Sequence, residues 1–173
     1  MDLLSILRQV PDFPKPGINF IDITTLLLDP DAFRWTIDAL AEPYRDKQID
    51  KVVAIESRGF VFGAPLALTL NAGLVLVRKP NKLPAAKYSC TYDLEYGQDC
   101  VEIHQDAIRD CEKVMVLDDL LATGGTIEAT LNLLKKFSCA VEGVSCVVEL
   151  DFLKGRDRLN STPVYSLVQI SSE

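Results

Sequence analysis

The amino-acid sequence predicts an α/β fold: a central, mostly parallel sheet flanked by helices, with a protruding β-hairpin. Three observations predict it. Residues 52–55, 74–77, 114–117 and 144–150 are short apolar runs rich in branched side chains, the pattern of strands buried on both faces. Residues 30–44, 61–70 and 127–137 carry apolar side chains at helical spacing between those runs, so strands alternate with helices and the crossovers are right-handed. Residues 84–102 break that rhythm. There Tyr88, Thr91, Tyr92 and Tyr96 gather around Gly97, as expected of two strands joined by a turn.

The remaining elements follow in chain order. Residues 1–8 place Leu3, Leu4 and Leu7 on one face of a short amphipathic helix; they lack the basic and long apolar regions of a secretory signal. Residues 13–20 read Phe-Pro-Lys-Pro-Gly-Ile-Asn-Phe, a stiffened loop that cannot be helical. Trp35 shares its helix with Leu40 and Tyr44 and is expected to pack in the core. His104, the only histidine, is expected to be structural. Residues 151–156 read as a strand-end turn with no assigned role, and residues 165–170 as a final strand.

Composition narrows the function classes. At 173 residues, 48% hydrophobic and 25% charged, the chain is one globular domain with a substantial core. No apolar run reaches the roughly 18 residues of a membrane span. A net charge of −7 argues against nucleic-acid binding, which needs a basic face. Five cysteines without a CxxC pair, beside one histidine, assemble no zinc framework and fit a reducing, cytoplasmic location. Positive charge is concentrated in Arg78, Lys79 and Lys82, with Lys87 shortly after.

The strongest chemical signal begins where the third apolar run meets Asp118 and Asp119, followed by Leu120, Leu121, Ala122, Thr123, Gly124, Gly125 and Thr126. Glycines let backbone N–H groups converge, threonine hydroxyls add donors, and a helix N-terminus contributes partial positive charge. That combination suits a phosphate monoester. Two carboxylates beside a phosphate need another partner, and the 2′- and 3′-hydroxyls of a ribose supply one. The spacing therefore points to a ribose 5-phosphate. An ordinary strand-turn-helix junction and an acidic metal site are the plainer alternatives.

This segment resembles the signature of the type I phosphoribosyltransferases, and the resemblance extends along most of the chain. It includes residues 11–17, residues 56–63 (Glu-Ser-Arg-Gly-Phe-Val-Phe-Gly), residues 77–84 and residues 92–97. It is densest with the adenine-using branch. What the resemblance implies is a type I phosphoribosyltransferase fold over residues 1–173, with a base-binding hood in residues 1–30 and a flexible hairpin in residues 84–104. The implied reaction moves a 5-phosphoribosyl group from phosphoribosyl pyrophosphate (PRPP) to adenine N9, giving AMP and pyrophosphate. Transfer to another base, or nucleotide sensing without catalysis, are the alternatives.

The resemblance also implies residue roles. Asp118 and Asp119 hold the ribose, and Ala122, Thr123, Gly124, Gly125 and Thr126 hold the 5′-phosphate. Ala122 stands where hypoxanthine-guanine relatives carry an aspartate facing the purine, so a base must come from elsewhere, and Glu95 with Tyr96 on the hairpin are the candidates. Ser57, Arg58, Lys79 and Lys82 serve the pyrophosphate, in a loop that often contains a non-proline cis peptide; Lys79 could act from a neighbouring subunit. Asn19 and Ile21 offer main-chain contacts to adenine, and Phe20 lines its pocket; Ile21 replaces an arginine common in the family. Magnesium is expected as cofactor, held mainly by PRPP and not by a protein cage, and a homodimer is expected as the assembly.

Overall fold

A computed structural model describes residues 1–93, 97–159 and 161–172 of the chain. Five strands form one sheet in the order β4 (Gly73–Val77), β3 (Lys51–Ile55), β7 (Lys113–Leu121), β8 (Ala140–Leu150) and β9 (Val164–Ile170). Every pairing between neighbours in it is parallel. β3 and β7 are buried almost along their length because neighbours flank both edges and helices cover both faces. Two antiparallel pairs stand outside this sheet: β1 (Arg8–Val10) with β2 (Phe20–Asp22), and the hairpin of β5 (Lys87–Asp93) with β6 (Gln98–His104).

The helices divide the core into two clusters. α1 (Thr24–Leu28), α2 (Pro30–Ala41) and α3 (Arg58–Thr69) pack on one face, where Leu26, Leu40, Tyr44, Phe62 and Leu66 meet Met115 and Leu117. α4 (Gly125–Leu134) and the hairpin cover the other, where Ile127 and Leu133 meet Val53, Ile55, Val101, Ile103 and Val116. Asp29 caps α2 by accepting from the amides of Asp31 and Ala32, and Pro30 follows at the first helical position, where its missing N–H is harmless. Gly63 allows α3 to lie on β3, since a Cβ there would sit 2.6 Å from that of Ala54.

Several expectations give way to packing. Residues 1–7 form a single turn, with the Leu7 amide bonded to the Leu3 carbonyl, and β1 starts at once afterwards. So short a segment cannot repay helix nucleation, and only Leu3 and Leu7 of the expected apolar face are buried while Leu4 is exposed. Trp35 lies at the surface, 36% exposed, because α2 turns Ala32, Thr36, Ile37 and Leu40 inward instead. α3 begins three residues before the expected position 61, at Arg58, and α4 ends at Leu134, so Lys135 caps it and Lys136 lies beyond its last turn. His104 accepts the Ala85 amide at 3.4 Å.

Candidate active site

β3 and β7 are central, and the chain steps from β3 outward to β4 before returning to β7 and outward again to β8. Open α/β sheets bind ligands beyond the carboxyl ends of strands at such a reversal. Pairing of β3 with β7 ends at Ala54 opposite Leu117, whereas β7 continues along β8 to Leu121 opposite Glu149. A notch therefore opens beside Asp118–Leu121. The sequence suggested that the strand stops before the two carboxylates; β8 extends it past them after β3 has turned away into α3.

Asp119 is buried at 3% exposure, and Arg58 at the start of α3 brings its Nε to 2.8 Å from Asp119 Oδ2. Apart from that ion pair the oxygen receives no hydrogen bond of good geometry, so it can still accept a further donor. Gly59 lets α3 come this close: a Cβ there would lie 3.1 Å from the Leu117 carbonyl oxygen and 3.3 Å from Asp118 Oδ1. Burial, and then the adjacent Asp119 charge, raise the Asp118 carboxyl well above its ordinary value. Burial raises Asp119 too, with Arg58 opposing it. Two neighbouring carboxylates, Asp119 buried and Asp118 half-buried, with one cation paired to Asp119, form a site short of positive charge or hydroxyl donors.

Beyond the pair, the turn into α4 encloses a cavity of about 80 Å³, lined by Asp118 and by every residue from Leu120 to Ile127. The first residues of α4, whose amides have no intrahelical acceptor, line it. Gly124 adopts φ +82°, and a Cβ on it would fall 2.4 Å from the Gly155 carbonyl oxygen. A Cβ on Gly155 would fall 2.1 Å from the Ala122 carbonyl oxygen. The two glycines let the short helical turn Gly155–Leu159 lie directly beneath the cavity floor. Arg156 fixes that turn through buried Glu149, donating to its two oxygens at 2.9 and 2.5 Å, while Ser166 donates to Glu149 at 2.6 Å and Arg156 donates to the Val164 carbonyl at 2.9 Å. Sequence reasoning left this segment without a role; a glycine beside basic residues at a strand end was the available signal.

On the opposite side stand the cations. The Glu56–Ser57 peptide is cis, and Ser57 is exposed at the start of α3. Glu56 receives Arg78 at 3.1 Å, the Lys79 amide at 2.9 Å and the Lys82 ammonium. Burial opposes ionisation of Glu56, but Lys82, Lys79 and Arg78 together hold it down at about 2. Lys79 bonds Asp99 of β6 and, at 3.0 Å, the Tyr92 hydroxyl of β5. Each expected pyrophosphate lysine thus has a carboxylate partner within the chain.

The N-terminal loop reaches the same notch through Arg58, whose guanidinium lies 5.4 Å from the Phe20 ring centre. Phe20 packs edge-on against Phe13 at 5.2 Å. Asn19 donates through Nδ2 to Gln9 at 3.0 Å, and its Oδ1 is buried with no partner. The Ile21 side chain is buried in the core at 4% exposure, leaving only its main chain for a ligand. Glu95 and Tyr96 lie outside the described residues. Among the described residues, no group of three or more histidine, cysteine or acidic side chains is arranged to hold a metal.

The phosphoribosyl transferase domain family matches residues 25–171. An adenine phosphoribosyltransferase of Acidobacterium capsulatum is 57% identical over 169 residues, covering 98% of this chain and 93% of its own. That of Acaryochloris marina is 56% identical, covering 98% and 99%. The chain belongs to the adenine phosphoribosyltransferase family. The family's solved structures share the fold described above: the enzyme of Thermoanaerobacter pseudethanolicus superposes with a TM-score of 0.94 at 46% identity, covering 98% of each chain. The Saccharomyces cerevisiae family member, solved with D-2,5-dideoxy-2,5-imino-altritol 1,6-bisphosphate and adenine, gives 0.91 at 42% identity, covering 96% of each.

Proposed function

We propose that the protein transfers the 5-phosphoribosyl group of PRPP to adenine N9, releasing AMP and pyrophosphate. The observation that carries this reading is the continuity of three features in one notch. A phosphate-sized cavity floored by Gly124 and Gly155 adjoins half-buried Asp118 and buried Asp119, and Arg58 links the pair to Phe20.

In this reading the amides and hydroxyls from Ala122 to Thr126 hold the 5′-phosphate. Asp118 and Asp119 accept the ribose hydroxyls; Asp119 Oδ2, which has the Arg58 ion pair but no hydrogen bond of good geometry, supports this assignment. Breaking the C1′–O bond builds positive charge on the ribose, which the carboxylates stabilise, while Arg58, Lys79 and Lys82 accept the departing pyrophosphate. Ser57 contributes its amide beside them. Asn19 and Ile21 read the purine edge through main-chain groups, with Phe20 against the ring; a purine with the donor and acceptor pattern reversed would leave buried groups unpaired. Glu95 takes the N9 proton and Tyr96 closes the site. Magnesium, held mainly by PRPP itself, would supply positive charge to the leaving pyrophosphate when bound; Asp118 and Asp119 would offer hard carboxylate oxygens beside it.

The same reading makes the protein a cytoplasmic homodimer. The cysteines are all free thiols, as a reducing compartment keeps them. Val61, Ala64, Pro65 and Leu68 form an outward apolar stripe on α3, with Leu68 83% exposed; such a stripe calls for a covering surface, and a second copy would provide it. Assaying product from adenine, hypoxanthine, guanine and orotate with PRPP tests the central reading: AMP from adenine alone is expected, and equal turnover of orotate or guanine would overturn it. Glu95→Ala should lower turnover, and Asp118→Asn with Asp119→Asn should chiefly weaken PRPP use.

A further inference from the structure

We propose that Tyr92 couples occupancy of the phosphate turn to the availability of Lys79, making it a positioning residue for the pyrophosphate half of the site. The proposal rests on the site reading given above. Tyr92 lies opposite Asp99 in the hairpin. Its hydroxyl stands 3.0 Å from each of three groups: Lys79 Nζ at the exit of β4, Asp99 Oδ2, and Thr126 Oγ1 in the first turn of α4. Its ring rests on Gly125, where a Cβ would lie 3.3 Å from Tyr92 Cδ2. The second glycine of the turn is therefore also a seat for this ring.

A phenol has one proton and two lone pairs. Tyr92 donates to Asp99 and accepts from Lys79, so the remaining lone pair faces Thr126, which donates its hydroxyl proton. A phosphate oxygen in the turn is a charged and stronger acceptor for that proton than a phenol. Once Thr126 turns to the phosphate, the Tyr92 hydroxyl loses its partner on α4, while the hairpin stays packed on that helix through Val101 and Ile103. The phenol is then free to turn away from Lys79, which keeps Asp99 alone and is more readily drawn to the pyrophosphate. Filling one half of the notch thereby prepares the other.

The test titrates magnesium pyrophosphate into the full-length protein by calorimetry, with and without saturating ribose 5-phosphate. For the natural protein, ribose 5-phosphate should tighten pyrophosphate binding by roughly three- to tenfold, the worth of about one hydrogen bond. In Tyr92→Phe, which keeps the ring on Gly125, pyrophosphate alone should bind more tightly and the effect of ribose 5-phosphate should disappear. In Asp99→Asn, pyrophosphate should bind tightly whether or not ribose 5-phosphate is present. Undiminished coupling in Tyr92→Phe, with both ligands bound, overturns the proposal alone. Failure of ribose 5-phosphate to bind the natural protein overturns the site reading and the proposal with it.

Discussion

The two halves of the notch are built differently. The phosphate turn is made of backbone: Gly124 at φ +82°, Gly155 pressed beneath it, and buried Glu149 paired with half-exposed Arg156 holding that floor in place. The cationic half is made of long side chains, with Lys79 on Asp99 and Lys82 on Glu56. A main-chain cradle has its donors in place before a ligand arrives, because tertiary packing fixes it. Lysines paired with internal carboxylates must exchange partners. In the proposed reaction the first half would supply a fixed origin, and the second would adapt to a group that arrives bound and leaves free.

That contrast can be broken at the floor first. Glu149→Ala removes the acceptor that holds Arg156 and Ser166; because the Arg156 side chain is 40% exposed and water can take it up, the loss should cost about 1–3 kcal/mol of stability, read by denaturant unfolding, with a parallel rise in KM for PRPP. Gly124→Ala forces a Cβ toward the Gly155 carbonyl; a displacement of the turn by about 1 Å should lower kcat/KM for PRPP roughly a hundredfold. Asp118→Asn sharpens the contrast by separating stability from activity. A carboxyl whose folded pKa is raised stabilises the fold at low pH and ceases to do so as pH rises through that value. The amide should therefore melt higher than aspartate at pH 7, by about 2–4 °C for each kcal/mol relieved, while PRPP use falls. Glu56 shows the opposite sign. Held at about 2, it lends stability above its unfolded pKa and loses it as pH falls toward 2, so Glu56→Gln should flatten the acid limb of a pH-melting profile. The smallest effect is expected for Lys82→Met. Its side chain is 47% exposed, and such pairs contribute about 0–1 kcal/mol, so the melting temperature should barely move.

The same contrast explains what was legible in the sequence. The core strands and the phosphate turn stand out because each is written in a continuous stretch: branched apolar runs, then acids, then small residues. Gly155 was opaque because its reason is Ala122 and Gly124, brought beneath it only when β8 returns the chain to the turn. Arg58 was legible as a cation in a loop, but its contact with Asp119 depends on α3 lying against β7, which Gly59 permits. Leu3, Leu4 and Leu7 carried helical spacing without the length to use it. Trp35 was misplaced because the inward arc of α2 was already filled by smaller residues that fit closer to the sheet.

One feature of the sheet reaches further. β3 leaves β7 at Leu117 while β7 runs on with β8, so from Asp118 to Leu121 one edge of a central strand lacks a neighbour. In the proposed reaction the ribose would sit along that edge, where a neighbouring strand would otherwise lie. Hydrogen exchange at alternate amides of this short stretch should slow when ribose 5-phosphate binds, even though no secondary structure is gained. The ligand would then be a reversible part of the sheet.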